Sequence, residues 1–278
     1  MRTFVIVFQH LPASELGAYG GSRSLTAFDE FTSCADVYDW VYVADRTHPL
    51  TQELNGISRA SFRQANSIEE IDDNVQELAS GSSSVSTLLL NLPSDTPIAE
   101  IDRAFASTLN SWKTATDSNE PTTVVVTANL GEHIDVDALA THPERSVTEA
   151  AAHIPLIIQQ PGQDVSRRRS RLLTSDSIPS AVRAISESTG SYLNFRDEAG
   201  ATQIEYQSRS MQAIRTEQAL LIRSRESDES GESHFLSLYL KPEDCWEVLD
   251  VASQYPLVVE HFLETGELTL PQQGHQAS

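Results

Sequence analysis

Phe4-Val5-Ile6-Val7-Phe8 is an unbroken apolar run of β-branched and aromatic residues, closed by Gln9 and His10. It is too short for an ordinary buried helix and has no polar face, so it reads as a strand covered on both sides, the kind that fills the middle of a parallel sheet. Three further runs share this character: Val85 to Leu92, Thr122 to Thr127, and Ile154 to Ile158. Helical spacing lies between them. Ile98, Ile101, Phe105 and Leu109 recur at intervals of three and four, predicting a helix to about Thr114. Ile68, Ile71, Val75 and Leu78 predict an acidic helix from about Ser67 to Ala79, capped by Asn66 or Ser67, with Glu69 and Glu70 in its first turn. Trp40 with Tyr38 and Tyr42 alternates as a half-buried strand does. Strand and helix in alternation specify an α/β layer around a largely parallel sheet.

The pattern changes after about Thr189. Tyr192 to Phe195, Gln203 to Tyr206, Ala219 to Ile222 and Phe235 to Leu240 are short strand-like pieces between turns, the last with Phe235, Ser237 and Tyr239 on one face. A helix with apolar positions Tyr255, Val258, Val259 and Phe262 follows. The expected organisation is an α/β core over 1–188, a C-terminal subdomain with a small antiparallel sheet and helix over 189–270, and a flexible Gln/Gly/Ser tail over 271–278.

The 278 residues carry 40 Asp and Glu against 19 Lys and Arg, a net charge of −21. Such a field repels phosphate backbones and anionic lipid, so neither nucleic acid nor membrane is an expected partner. No apolar run approaches the ~18 residues of a membrane span, and the N-terminus lacks a signal-peptide pattern, which makes a cytoplasmic location the expectation. Cys34 and Cys245 lie far apart without metal-ligand spacing and are expected to be two buried thiols. The dense basic run Arg167-Arg-Arg-Ser-Arg171 is expected to be a solvated loop or to neutralise the protein's own acidic surface. His153 is expected to be a satisfied residue at a strand edge.

Several segments acquire meaning in their order: Phe4-Val-Ile-Val-Phe-Gln9-His10, Leu16-Gly-Ala-Tyr-Gly20, Leu25-Thr-Ala-Phe-Asp-Glu-Phe31, Thr123-Val-Val-Val-Thr-Ala-Asn-Leu-Gly-Glu132, and His153-Ile-Pro-Leu-Ile-Ile158 with Pro161-Gly162. Asp176-Ser-Ile-Pro-Ser180, Ile214-Arg-Thr216, Leu221-Ile222 and Tyr239-Leu-Lys-Pro-Glu-Asp-Cys-Trp-Glu-Val248 continue the series. Together they resemble the sulfatases of the alkaline phosphatase superfamily, and the last is similar to a C-terminal signature of planctomycete sulfatases. The resemblance implies an alkaline-phosphatase-like α/β sandwich, here with a shortened core, and a smaller C-terminal subdomain. It also implies a chemistry: carboxylates holding a divalent cation, a Cys or Ser nucleophile in C-x-P-S-R, and Lys and His groups binding the sulfate.

The chain departs from that chemistry at each point. Gln9 and His10 replace the paired acids after the first strand, and Asn129 and Leu130 replace the Asp and His of the second metal-binding turn. Between Val43 and Phe62 there is no C/S-x-P-S-R; Ser58-Arg59-Ala60-Ser61 echoes its end, in a register that puts Asn55 at the nucleophile and Ile57 at the proline. Leu90-Asn91-Leu92-Pro93-Ser94 stands where the family has H-x-P-H. The resulting expectation is a catalytically degenerate pseudoenzyme with no catalytic residue, no metal and no cofactor. Its role would be binding or regulatory, toward a protein or a small anionic ligand. The alternative is an active hydrolase of sulfuric or phosphoric esters with a rebuilt metal site on His10, Asn129, Glu132 and His133, an imidazole-rich set that favours a transition metal over Ca²⁺. Each of those residues also has a structural role open to it: Gln9 and His10 closing the strand, Asn129 in a turn, Glu132 and His133 in a solvated loop.

Overall fold

The computed structural model describes residues 1–57, 60–116, 120–187, 202–225 and 235–271. Its main body is a seven-stranded sheet of β1 (Arg2–His10), β2 (Asp36–Tyr42), β3 (Ala60–Ala65), β4 (Val85–Leu90), β5 (Thr122–Leu130), β6 (Leu156–Gln159) and β7 (Arg167–Thr174), in the order β3-β4-β1-β5-β6-β2-β7. All neighbours are parallel except β6, which runs antiparallel to both β5 and β2. The four apolar runs are therefore strands, and Phe4 to Phe8 are fully buried as expected. The fourth run starts as a strand only at Leu156, because Pro155 has no N–H to donate to a ladder. β3 and β7 form the two edges. Neither has a buried-strand pattern, and the edge β7 is the basic run itself: Arg168 pairs with Asp39 at 2.9 Å and Arg169 with Asp36 at 3.1 Å. The run neutralises neighbouring acids as a charged edge strand, and the loop reading is corrected.

Helices α1 (Thr26–Thr32), α3 (Ile71–Ser80) and α4 (Ile98–Ala115) cover one face of this sheet, while α2 (Leu50–Asn55) and α7 (Ser177–Glu187) cover the other. The alternation of side chains along β1 sends Phe4 onto Trp112, ring centroids 4.0 Å apart, and Phe8 toward the stacked pair Phe28 and Phe105. Asp102 of α4 accepts the Ala27 and Phe28 N–H groups at 3.3 and 3.1 Å, which satisfies orphan donors at the start of α1. The acidic helix starts later than its periodicity suggests. Its first turn is Ile71, not Ser67, and neither Asn66 nor Ser67 caps it; the Glu70 side chain instead reaches back to the Asn66 N–H at 2.7 Å and holds the preceding turn.

The short helices α5 (Val136–Thr141) and α6 (Glu149–Ala152) lead into β6. Beyond α7 comes an antiparallel sheet of β8 (Gln203–Gln207), β9 (Met211–Thr216), β10 (Ala219–Ser224) and β11 (Leu236–Leu240), in the order β11-β10-β9-β8, followed by α8 (Pro256–Thr265). The strand read at Tyr192 to Phe195 and the boundary read at 188–189 fall outside the described residues, as does nearly all of the tail. One face of the small sheet (Ile204, Tyr206, Met211, Ala213, Leu220, Ile222) packs on Tyr42 and Leu172 of the main body, with Phe235 and Tyr239 joining it. The other face (Ile214, Leu221, Leu238) is closed by Val258 and Phe262 of α8. Period-two alternation along β9 thus turns Arg215 toward the main body. Among the described residues, no helix is long and apolar enough to cross a membrane.

Candidate functional site

In open α/β sheets, ligands are held beyond the carboxyl ends of parallel strands. β1 and β5 run side by side with His10 opposite Leu130, so their ends bring Gln9, His10, Asn129 and Leu130 to one place. Asn129 is buried at the end of β5, a strand position and not the turn position open to it in the sequence reading. Its Nδ2 donates to Gln9 Oε1 at 2.9 Å, and its Oδ1 accepts the Thr51 N–H at 3.2 Å. Thr51, in the first turn of α2, belongs to this set and was not singled out in the sequence; only Pro49, which precedes the helix, hinted that a helix begins there. Leu130 packs against the core. Asn55, the residue in the nucleophile register, is exposed at the far end of α2 from Thr51, and Ser58 and Arg59 lie outside the described residues. Asn91, in the H-x-P-H position, donates to Asn66 Oδ1 at 3.1 Å.

His10 and His133 meet edge to face with ring centroids 4.8 Å apart, while Glu132 and His133 are otherwise solvated. Gly131 allows this turn to close: a Cβ there would stand 2.4 Å from the Ala150 carbonyl oxygen. Burial, His133 and Arg46 lower the His10 pKa from 6.5 to about 4. Arg46 itself donates through Nη1 to the Ser146 and Ala151 carbonyls, both at 3.2 Å.

The carboxamide oxygens at the strand ends are thus already engaged by N–H donors, and the Arg46 guanidinium acts on His10 beside them. A hard divalent cation needs several anionic or free oxygen donors. These residues do not fit one, and among the described residues no three His, Cys, Asp or Glu side chains gather so as to hold a metal ion.

The depressed His10 pKa has a measurable consequence. Folded protein keeps the ring neutral down to pH about 4, whereas the unfolded chain takes up a proton near 6.5. Stability present above pH 6.5 is therefore lost as the pH falls toward 4, by about 1 to 2 kcal/mol after allowing for the ring's partial exposure. His10→Asn is expected to flatten the fall of the denaturation midpoint across that window; an unchanged slope would remove His10 from the account.

A cleft of about 630 Å³ opens beside the strand ends, lined by Tyr19, Asp39, Trp40, Glu149 and His153 of the main body and by Arg215, Lys241 and Trp246 of the C-terminal part. Its floor is a buried charge cluster. Glu149 of α6 lies 3.5 Å from Arg215 Nε and 3.3 Å from Lys241 Nζ, and accepts the Tyr42 hydroxyl. Lys241 also pairs with Glu247 at 2.9 Å. Burial pushes the Glu149 carboxyl up, but Arg215, His153, Lys241 and the Tyr42 hydroxyl outweigh it and hold it below the usual carboxylate range. For Glu247 burial prevails over Lys241, and the carboxyl is raised. Arg215 is 2% exposed and its Nη1 has no hydrogen-bond partner. His153 lies edge-on to Tyr19 and stacked on Tyr42, with Nε2 2.8 Å from the Asp39 carbonyl oxygen, a satisfied strand-edge residue as expected. Its burial lowers its pKa. Cys245 lines the cleft and is exposed, and Cys34 is half-buried, so the expectation of two buried thiols is corrected. The turn after Lys241 carries Cys245 outward.

No protein-family profile matches this sequence, and neither does any curated protein. Solved structures do. A protein of the core genetic locus for glycosaminoglycan metabolism in Bacteroides thetaiotaomicron superposes with a TM-score of 0.69 at 10% identity, covering 94% of each chain. A 2-O GAG sulfatase gives 0.68 at 12% identity over 95% of this chain and 90% of the other. A protein in the alkaline phosphatase superfamily from Vibrio parahaemolyticus gives 0.54 at 11% identity, covering 97% and 88%. At such identities the likeness speaks for architecture alone, and with the mixed seven-stranded sheet and the small antiparallel sheet it shows that this chain has the sulfatase-like fold of the alkaline phosphatase superfamily.

Proposed function

We propose that this chain uses a sulfatase-type fold to bind and not to hydrolyse: a pseudoenzyme with a binding or regulatory role. One observation carries the reading, the closed hydrogen-bonded set of Gln9, Asn129 and Thr51 at the strand ends. Ester hydrolysis of the kind the sequence resemblance implies needs a cation to polarise the ester and a nucleophile beside it. Here the Asn129 carboxamide donates to that of Gln9 and accepts from the Thr51 N–H, and a neutral imidazole and a guanidinium complete the surroundings. The adjoining cleft supports a small anionic ligand, since the unpartnered Nη1 of buried Arg215 is a donor in want of an acceptor.

The test is turnover of para-nitrophenyl sulfate and para-nitrophenyl phosphate by the full chain with Ca²⁺, Mg²⁺, Mn²⁺ or Zn²⁺. No rate above the uncatalysed one is expected, and saturable turnover would overturn the reading. The same assay serves the second reading, a hydrolase with a rebuilt site, which one observation favours: buried His10 Nδ1 has no hydrogen-bond partner, and His133 lies at the ring's edge. On that reading Zn²⁺ supports turnover and His133→Ala abolishes it.

A further inference from the structure

The loop after Lys241 presents an unusual surface. Trp246, Val248 and Leu249 are 74%, 81% and 61% exposed, three large apolar side chains within four residues. The loop that holds them is pinned from inside. Glu247, between Trp246 and Val248, takes a left-handed backbone with φ of 53°, and its carboxylate reaches inward to Lys241 at 2.9 Å and to the Glu149 N–H at 3.0 Å. Asp244 accepts the N–H groups of Val248 and Leu249, both at 2.9 Å, and Asp250 accepts those of Leu238 and Ala252 at 3.0 and 2.9 Å. A non-glycine residue in that region persists only where its surroundings fix it. Here the inward turn of Glu247 is what sends its neighbours out.

Charge selects the occupant. Glu243 and Asp250 are exposed at the two ends of the apolar stretch, and from Pro242 to Pro271 the sequence has seven Asp or Glu and no Lys or Arg. A second copy would bring two such acidic surfaces together on chains of net charge −21, and anionic lipid would be repelled in the same way. An apolar patch flanked by carboxylates is complementary to apolar side chains flanked by Lys and Arg.

We propose that the 243–250 loop is a docking surface for a basic amphipathic segment of a partner protein. The segment's apolar face covers Val248, Leu249 and Trp246 while its basic residues meet Glu243 and Asp250. Helix-face recognition of this kind depends on a few buried anchors, with an aromatic prominent among them. Val248 and Leu249 do not line the cleft, whereas Trp246 stands at its wall and Glu247 ties the loop to its floor.

The experiment titrates the full chain with a short amphipathic helical peptide of leucine and lysine, followed by calorimetry at moderate salt. Saturable binding is expected. Val248→Ser with Leu249→Ser should weaken it about tenfold or more, with the thermal midpoint unchanged because both side chains are in water. Glu30→Gln with Asp73→Asn, which removes two exposed charges on the helix layer, should leave it unaltered, and a leucine and glutamate peptide of the same pattern should not bind. Equal affinity for the Val248/Leu249 variant, or equal loss in the Glu30/Asp73 variant, would reduce the effect to bulk charge and overturn the proposal. A concentration-dependent dimer abolished by the Val248/Leu249 changes would assign the surface to a second copy, and adsorption to phosphatidylcholine vesicles would assign it to lipid; either result overturns it. None of these outcomes touches the ester-turnover test, so the two failures are distinguishable.

Discussion

Glu149→Ala is expected to destabilise the folded chain by about 3 to 5 kcal/mol, measured as the shift in a urea denaturation midpoint at constant slope. The size comes from what the carboxylate leaves behind. Arg215 is 2% exposed and its ion pair is with Glu149, while Lys241, 3% exposed, retains Glu247. Removing Glu149 strands a buried guanidinium whose Nε and Nη1 already lack hydrogen-bond partners and deprives the Tyr42 hydroxyl of its acceptor. The loss also falls across the junction of the two sheets, since Glu149 is on α6 and Arg215 on β9. Glu149→Gln should cost less, because the amide oxygen still accepts from Tyr42. Glu149→Met combined with Arg215→Met should cost less than Glu149→Ala alone, since neither charge is then left buried. A loss below about 1 kcal/mol for Glu149→Ala would mean that water reaches Arg215 and that the cluster does not tie the sheets together.

Much of the fold was legible because burial writes itself into the sequence. Phe4 to Phe8 is covered on both faces, so apolar residues occupy every position; of the stripe read for α4, Phe105 is buried while Ile98, Ile101 and Leu109 are only partly so, and the buried face is Ala104, Phe105, Thr108 and Trp112. Edge strands carry no such mark. β3 is half in water, and β7 is stabilised by pairing Arg168 and Arg169 with Asp39 and Asp36 of its neighbour, a tertiary fact that no local pattern encodes. The candidate site was legible by a different route, as departures from a resemblance: Gln9, His10, Asn129 and Leu130 were named from the sequence and do converge. Thr51 was not, because its shorter contact in the set is a backbone N–H, which any residue but proline supplies, and its hydroxyl accepts from Asn129 Nδ2 at only 3.4 Å. Arg215 and Lys241 were seen only as pieces of a motif. Their meeting with Glu149 requires the two sheets to pack, and sequence separations of 66 and 92 residues leave no local trace.

Restoring carboxylates at the strand ends should produce the second large effect. Gln9→Asp with Asn129→Asp places two acids side by side where a carboxamide pair now bonds at 2.9 Å. Without metal, the like charges and the burial of position 129 should destabilise the fold and raise the pKa of at least one of the two. With Ca²⁺ at about a hundredfold its dissociation constant, linkage should return roughly 2.7 kcal/mol to the variant. The natural chain should gain nothing from the same addition, because the oxygens of Gln9 and Asn129 accept from Asn129 Nδ2 and the Thr51 N–H, and Arg46 stands near His10.

That contrast reduces to one measurement on the natural chain, a calorimetric titration with Ca²⁺ at neutral pH. The closed amide set predicts no saturable heat. Stoichiometric binding that disappears in Asn129→Leu would contradict it, and with it the claim that the chain keeps the sulfatase fold without the cation chemistry.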